Sequence, residues 1–300
     1  MMLGICYVSV LILLMSSCRG EGQMYSIVIS IPGCNTIIHV TTDNTDLLRG
    51  LVFQYYPYIT YSYGSINTNA CVNVHIEVLG NIIRVQSAKG DKINFKVCDN
   101  HILLYKVKSI IQRSLLEKDG FLYFHSACVA YERFAFVLLG RANSGKSTLS
   151  TYLSSVGMNY LTDDCTIVCA DKKQVVPYPK IIQLREDTCE LLKRYQVMLP
   201  TFDTGVLSHP RGVLPPYSFG LFELAAFIKI ELSNDPPSIT EIKDTKDKIK
   251  ILAENLYSSN SLCHKITVLS SLVNTTRIFK VCYSDMEYVY NEIVKTIMQT

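Results

Sequence analysis

A glycine-bounded loop carries the clearest chemistry in the chain. Its pattern, G-x-x-x-x-G-K-S, begins at Gly140 and is followed by a threonine. The glycines permit backbone torsions that a Cβ would resist, so several N–H groups can turn toward one anion. The lysine can reach the outer phosphates of a nucleotide, and the serine hydroxyl can bind Mg²⁺. The predicted phosphate site consists of Gly140, Arg141, Ala142, Asn143, Ser144, Gly145, Lys146, Ser147 and Thr148.

The segments on both sides of this loop support the same interpretation. The apolar run Phe134–Leu139 predicts a buried strand, and a helical pattern follows Lys146 and ends near Ser155, with Gly157 placed as its left-handed cap. A helix that begins here directs the positive end of its dipole at the bound anion. Strand, loop and helix are the context that a P-loop requires, which disfavours the alternative of a chance glycine-rich turn.

Two neighbouring carboxylates, Asp163 and Asp164, follow the predicted helix. Residues 160–168 predict one short strand, and neighbours on a strand point to opposite faces. One carboxylate can then approach a metal beside Ser147 while the other faces elsewhere, unless the strand ends here. Two carboxylates near one site also shift their pKa values apart, which suits one as a base. The alternative is that the pair only ends a strand and caps a turn.

His125 is the third candidate. Residues 121–131 predict a strand that forms a hairpin with Phe134–Leu139, which would place His125 beside the loop. The alternative is a hydrogen-bonded histidine with a structural role in the hairpin.

Composition limits the function classes. The chain has 300 residues, of which 48% are hydrophobic and 18% charged, with a net charge of +3. This charge is too small to indicate nucleic acid as a partner. The 11 cysteines contain no C-x-x-C pair, which favours buried reduced thiols and a cytoplasmic location.

The N-terminus leaves membrane contact open. Residues 3–17 are strongly apolar, and residues 1–22 are interpreted as a signal or anchor segment or as a misassigned start. A strand of the first domain is a further alternative for the apolar run. No basic residue precedes the apolar run, and the run is shorter than the ~20 residues that span a bilayer.

The remaining pattern predicts two parts. Short strands and one capped helix predict a small α/β module over residues 23–112, and a P-loop domain is predicted over 113–300. Within the latter, residues 201–217 predict a long loop, 225–232 and 277–283 predict strands, and 286–298 predict a closing helix.

The order and spacing of His125, the loop and the Asp163-Asp164 pair resemble the HPr kinase/phosphorylase family. The chain is similar to the smaller HPr-kinase-related proteins, some of which are encoded beside ribosomally made peptides. The resemblance is close over residues 121–185, looser after them and only general over the first 110 residues. It implies a mixed-sheet α/β kinase domain of the HPr kinase/carboxykinase type, preceded by a small α/β module.

The resemblance also implies roles for the matched residues. Lys146 and the loop glycines would hold the phosphates of ATP, while Ser147 would bind Mg²⁺ with support from Asp163. Asp164 would be the base that takes a proton from a serine hydroxyl, and His125 would stabilise the transferred phosphoryl group.

The chain departs from the family at one signature. The second glycine-rich motif, which supplies a further metal-binding glutamate, is not evident, and Glu186 and Glu190 are weak substitutes. Arg211, Arg185 and Lys180 are candidates for a phosphate clamp, with a surface cation as the alternative for each. The departure puts the reverse phosphorylase reaction, and HPr itself as substrate, in doubt.

The sequence therefore predicts an ATP-dependent kinase that phosphorylates a serine on a small protein or a ribosomally made peptide. The alternative is a nucleotide-binding accessory or chaperone protein without transferase activity. A GTPase is disfavoured because no N-K-x-D motif follows the loop, and a transport ATPase because no LSGGQ motif does. A carboxykinase is disfavoured because the sequence shows no site for an organic acid. The sequence leaves open whether the chain forms a homo-oligomer.

Overall fold

The computed structural model describes residues 24–31, 36–55, 59–61, 74–87, 90–97, 100–116, 121–197, 201–203, 211–213, 215–257 and 262–297. Its contacts divide the chain into two compact units, one formed by residues 1–30 and 36–114, the other by residues 31–35 and 115–300. The apolar segment predicted as a signal, anchor or misassigned start lies outside the described residues. No helix within the described ranges is long and apolar enough to cross a membrane.

Among its described residues, the first unit contains a six-stranded sheet and two helices. The strands, in the order β3-β1-β2-β4-β5-β6, are β1 Tyr25–Ile31, β2 Thr36–Thr42, β3 Ile59–Tyr61, β4 Val74–Leu79, β5 Ile82–Ser87 and β6 Lys92–Lys96. The helices are α1 Thr45–Tyr55 and α2 Asn100–Leu116. Asn44 caps α1, since its Oδ1 accepts a hydrogen bond of 2.9 Å from the Leu47 N–H.

Buried and partly exposed residues alternate along the strands, and this alternation shows which face of the sheet is buried. Ile38 and Val40 of β2 and Ile76 of β4 are fully buried, whereas their immediate neighbours along each strand are half-exposed. Helix α1 contacts β2 and contributes the buried Leu51. The sheet therefore packs one apolar face and presents a polar one, as the period of two requires.

The second unit is built on a nine-stranded mixed sheet among the described residues. Its strands are β7 Phe121–Phe124, β8 Ala127–Tyr131, β9 Phe134–Leu139, β10 Asn159–Thr162, β11 Thr166–Cys169, β12 Gln174–Val176, β16 Phe222–Leu232, β17 Ser238–Glu241 and β18 Arg277–Tyr283. A smaller sheet contains β13 Ile182–Leu184, β14 Thr201–Asp203 and β15 Arg211–Val213. The helices are α3 Lys146–Ser155, α4 Glu186–Arg194, α5 Thr245–Glu254, α6 Leu262–Thr275 and α7 Met286–Glu292, which continues as a π-helical turn over Ile293–Ile297.

Strand β9 lies inside the large sheet, parallel to β16 and antiparallel to β8. Phe136 and Leu138 point into a core that includes Leu149 of α3. Val137 and Leu139 point into a second core that includes buried residues of α5 and α6. Both faces of β9 are therefore covered, which explains why its sequence is a continuous apolar run rather than an alternating one.

Two predicted strands are each divided in the structure. Residues 121–131 form β7 and β8, which break at His125 and Ser126 because β7 pairs with β11 whereas β8 pairs with β9 and β10. Residues 160–168 fall into β10 and β11, with Asp163 and Asp164 in the turn between them. The prediction of single strands was wrong at both places, and the proposed opposite-face arrangement of the carboxylates does not apply.

The remaining predictions for the second unit have mixed outcomes. The predicted loop over residues 201–217 contains β14 and β15, which pair antiparallel with each other, and β15 also pairs with β13. The strands predicted near residues 225–232 and 277–283 are confirmed as β16 and β18, and the closing helix is confirmed as α7. Strand β17 and helix α6 were not predicted. Three of the cysteines, Cys128, Cys165 and Cys189, are buried thiols, as expected.

Candidate functional site

The loop between β9 and α3 has the conformation that its glycines permit, although they act differently. Gly145 has a left-handed φ of 87° and precedes the first turn of α3, in which the Leu149 N–H donates to the Gly145 carbonyl at 2.8 Å. Gly140 has no left-handed φ. A Cβ at this position would collide with Ser144 Oγ and lie 3.1 Å from the carbonyl oxygen of Ile230. The expectation of a special torsion at Gly140 is therefore wrong, and close approach is the reason for the glycine.

Lys146 is the first residue of α3, and its side chain lies inside this loop. Its side-chain ammonium group donates to the carbonyl oxygens of Gly140 at 2.8 Å and Arg141 at 3.0 Å. Burial lowers the pKa of Lys146, and the charges of Asp163 and Asp164 oppose that shift. Two carbonyl oxygens thus hold the ammonium group, and phosphate oxygens of a bound anion could replace them.

The loop also contains a polar atom that a ligand could satisfy. Within the described chain, the buried hydroxyl of Ser144 has no hydrogen-bond partner. Buried hydroxyls are normally bonded, and such an exception calls for an explanation. Arg141, Ala142 and Asn143 are exposed beside it, and the Arg185 guanidinium group donates to Asn143 Oδ1. The open loop and its buried hydroxyl fit a bound anionic group.

Asp163 lies next to the first turn of α3. The Ser147 hydroxyl donates to Asp163 Oδ1 at 3.1 Å. Burial, followed by the nearby charge of Asp164, raises the pKa of Asp163 to about 6. A hydroxyl and a carboxylate supply the oxygen ligands that Mg²⁺ prefers, with water and phosphate oxygens completing its shell. The described residues contain no group of three or more His, Cys, Asp or Glu side chains that could hold a metal, so any cation here has few protein ligands.

The turn between β10 and β11 separates the two carboxylates. Asp164 has a φ of 76°, in the left-handed region, and the Thr162 hydroxyl closes the turn by donating to the Cys165 carbonyl at 2.9 Å. Asp164 consequently meets different neighbours from Asp163. Its carboxylate lies 3.0 Å from His125 Nδ1 and 3.6 Å from Lys180 Nζ.

His125 occupies the break between β7 and β8, where a segment after α5 anchors it. The His125 N–H donates to the Asn255 carbonyl at 2.7 Å, and the Tyr257 N–H donates to the Tyr123 carbonyl at 2.8 Å. The Tyr257 hydroxyl lies 3.1 Å from His125 Nδ1 and donates to the Asp164 carbonyl at 2.9 Å. The hydrogen bond that the His125 ring donates to the Asp164 carboxylate is the main cause that raises the pKa of His125.

Lys180 is part of this cluster and is not the surface cation of the alternative interpretation. Its side chain is only 7% exposed. The Tyr160 hydroxyl donates to the Lys180 carbonyl at 2.8 Å, and the Tyr178 N–H donates to the Leu161 carbonyl at 2.8 Å, so residues 178–180 are held against β10. A lysine within an extended and otherwise apolar segment is the sequence signal that could have indicated its burial.

Asn255 joins the loop to the histidine, and sequence analysis missed both it and Tyr257. Its Oδ1 accepts from the Gly140 N–H at 3.3 Å, while its carbonyl accepts from His125. Its own amide donates to the Ile251 carbonyl at 2.8 Å, which fixes its orientation at the end of α5. These residues follow the loop by more than a hundred positions in an ordinary helix end, and no local pattern marks them.

The other candidates are less central. Glu186 and Glu190 are exposed on α4, and the backbone of Arg211 lies in β15. Nothing in their placement links the two glutamates to Ser147 or Asp163. Among the clamp candidates, Arg185 contacts the glycine loop and Lys180 contacts Asp164.

Comparison with known proteins leaves the family open. No protein-family model matches the chain, and no curated protein matches its sequence. Among solved structures, the chain is similar to the HPr(Ser) kinase/phosphatase from Coxiella burnetii, with 14% identity and a TM-score of 0.30 over 59% of this chain and 99% of that one. A likeness this distant assigns neither activity nor ligand, so the function must be inferred from the site.

Proposed function

We propose that the protein transfers the γ-phosphoryl group of ATP to a serine hydroxyl on a small protein or peptide. The observation that carries the proposal is the turn at Asp163 and Asp164. It sets one carboxylate against Ser147 in the first turn of α3 and its neighbour against His125 and Lys180. Phosphoryl transfer needs these two environments, one for the nucleotide and its cation and one for the acceptor.

The glycine loop holds the nucleotide in this proposal. Lys146 exchanges its two carbonyl partners for phosphate oxygens, and the N–H groups at the start of α3 point at the same anion. Ser147 and Asp163 would hold Mg²⁺, which supplies positive charge against the phosphate oxygens. The Ser144 hydroxyl gains the partner that it lacks among the described residues.

The cluster around Asp164 serves the acceptor. The serine oxygen bonds to the γ-phosphorus while the bond to the β–γ bridging oxygen breaks and ADP leaves. Asp164 takes the proton of the serine hydroxyl, a step that a positioned carboxylate accelerates by about 10²–10⁴-fold. About half of its side chain is exposed, so an acceptor can reach it. His125 and Lys180 orient the carboxylate and add positive charge beside the transferred group.

A second function has one observation in its favour. The Asp164 carboxylate is already engaged by His125, Lys180 and Tyr257, as it would be in a purely structural network. A nucleotide-gated accessory protein for a peptide-modifying enzyme would need the glycine loop but no base.

Incubation of the full chain with γ-labelled ATP, Mg²⁺ and a library of serine-containing peptides distinguishes the two functions. Alanine-substituted peptides and the Asp164→Asn variant serve as matched controls. Label on serine, lost in both controls, is the expected result for the kinase. Tight ATP binding without label on any peptide or on the chain itself would instead favour the accessory function, and failure to bind ATP would refute both.

A further inference from the structure

A pair of histidines lies on the polar face of the first unit's sheet. His39 of β2 and His75 of β4 are direct partners in the parallel register of these strands. Both side chains point away from the apolar core, because the residues on either side of each are buried. Their Nδ1 atoms are 2.9 Å apart, and their ring centroids are 4.8 Å apart with a tilt of 56°. Neither side chain belongs to the site of the proposed kinase.

A third side chain orients the pair. Ser26 Oγ on the neighbouring strand β1 lies 2.5 Å from His39 Nε2. When His39 donates its Nε2–H to this hydroxyl, its Nδ1 carries a lone pair that faces His75. A hydrogen bond from the outer ring nitrogen is the contact that usually fixes a metal-binding histidine in the right tautomer and orientation.

We propose that His39 and His75 together bind a divalent transition-metal cation through their Nδ1 atoms. Imidazole nitrogens bind such cations at about 2.0–2.1 Å, so two nitrogens at a right angle around one cation lie about 2.9 Å apart. The separation of the two atoms already matches this bite. When His39 carries its proton on Nε2, a hydrogen bond between the two Nδ1 atoms requires His75 to donate its Nδ1–H. Metal binding then requires that this proton move to His75 Nε2, which leaves both imidazoles neutral.

The ligand set selects the class of cation. A right-angled pair of nitrogens suits the tetragonal geometry of Cu²⁺ or Ni²⁺ better than the tetrahedral geometry of a structural Zn²⁺ site. No third His, Cys, Asp or Glu in the described part of the chain completes a cluster, and the nearby Glu77 is paired with Arg84 at 2.8 Å. Water or a ligand atom from another molecule therefore fills the remaining positions, so binding is reversible and the cation stays accessible.

The same three residues also resemble a serine nucleophile with a histidine base, and the sheet argues against that use. Such chemistry needs free N–H groups beside the serine to stabilise an oxyanion. Strand β1 pairs with β3 at Ile27–Ile29 and has β2 on its other side, so the backbone N–H groups that follow Ser26 belong to the sheet. The position favours binding over acyl transfer.

The test is a calorimetric titration of the full chain with Ni²⁺ alone. We expect one site whose affinity falls about tenfold or more in His39→Gln and in His75→Gln, and by a smaller factor in Ser26→Ala. Gln86→Ala is the matched control, because Gln86 is the partner of His75 on β5 and lies on the same face. Its affinity should equal that of the wild type. The cysteines are unchanged in every variant, so any Ni²⁺ that thiols bind contributes equally to each isotherm. Equal isotherms for the wild type and both histidine variants would overturn the proposal.

A measurement on the wild type guards against misfolded variants. Diethyl pyrocarbonate modifies accessible histidines, and peptide mapping by mass spectrometry identifies each one. Ni²⁺ should protect His39 and His75 together and leave His125 reactive. Modification of the pair at the same rate with and without Ni²⁺ would refute the site.

Discussion

The two sides of the candidate site differ in how the fold builds them. On the loop side, Lys146, Ser147 and Asp163 lie within a short stretch of chain, and their contacts follow from one strand, one loop and one helix. On the histidine side, Asp164 gathers His125, Lys180 and Tyr257 from three distant segments. The first side is a local motif, whereas the second exists only in the tertiary structure.

This difference shows how two carboxylates that are adjacent in sequence come to lie in different environments. Asp163 is set in a half-buried position beside Ser147, which raises its pKa to about 6. Asp164 follows with a left-handed backbone and reaches outward to cationic partners. In the proposed kinase, this turn would divide the two carboxylates between holding a cation and accepting a proton. Variants on each side should therefore fail in different ways.

The largest effect is expected from Lys146→Ala on the loop side. Without the ammonium group, the γ-phosphoryl oxygens lose their main protein charge, and transfer should fall by about 10³-fold or more with ATP binding weakened as well. Calorimetric ATP titration and labelled-ATP transfer measure the two effects. The backbone of α3 needs no lysine, so circular dichroism should be unchanged. A wild-type rate of phosphoryl transfer in this variant would show that the loop takes no part in the reaction.

Asp164→Asn tests the histidine side. ATP binding should persist, while transfer to peptide falls by about 10²–10⁴-fold, because an amide cannot accept the proton. Asp163→Asn is the contrasting variant: it should weaken the dependence on Mg²⁺ and leave the pairing of His125 with Asp164 intact. If both variants lose ATP binding equally, the division between the two sides is wrong.

The raised pKa of Asp163 predicts how stability changes with pH in metal-free protein. The folded chain keeps a proton on Asp163 up to about pH 6, whereas the unfolded carboxyl loses it near 3.8. The stability from this group is therefore present below the lower value and is lost as pH rises through the upper one. Urea unfolding in EDTA should show this fall in the wild type and not in Asp163→Asn. Parallel pH profiles for the two proteins would contradict the assigned environment.

The smallest effect concerns His125. Asp164 raises its pKa, so the stability from the protonated form is complete below the ordinary value of 6.5 and is lost as pH rises through the raised one. The stability difference between the wild type and His125→Gln should shrink as pH rises above 6.5 and through the raised pKa. Both side chains are about half-exposed, so solvent screening keeps the effect small. A difference that grows with pH would mean that His125 is held neutral.

Local pattern was sufficient for the parts of the fold that consist of neighbours in sequence. The apolar strand β9 and the left-handed Gly157 after α3 both appear where they were predicted. Each depends on the periodicity or torsion of a few adjacent residues. The breaks at His125 and at Asp163 were not predictable in this way, because strand partners from elsewhere in the chain decide where β7 and β10 end.

The sequence by itself determined the loop that can hold phosphate, the neighbouring carboxylates and the helix that begins at Lys146, since these depend on spacing within about twenty-five residues. Only the tertiary structure decided that Lys180 is buried beside Asp164, that Asn255 bridges Gly140 and His125, and that His39 meets His75. Those contacts arise from sheet register and helix packing. Both are set by the burial of apolar faces across the whole chain, which no local pattern encodes.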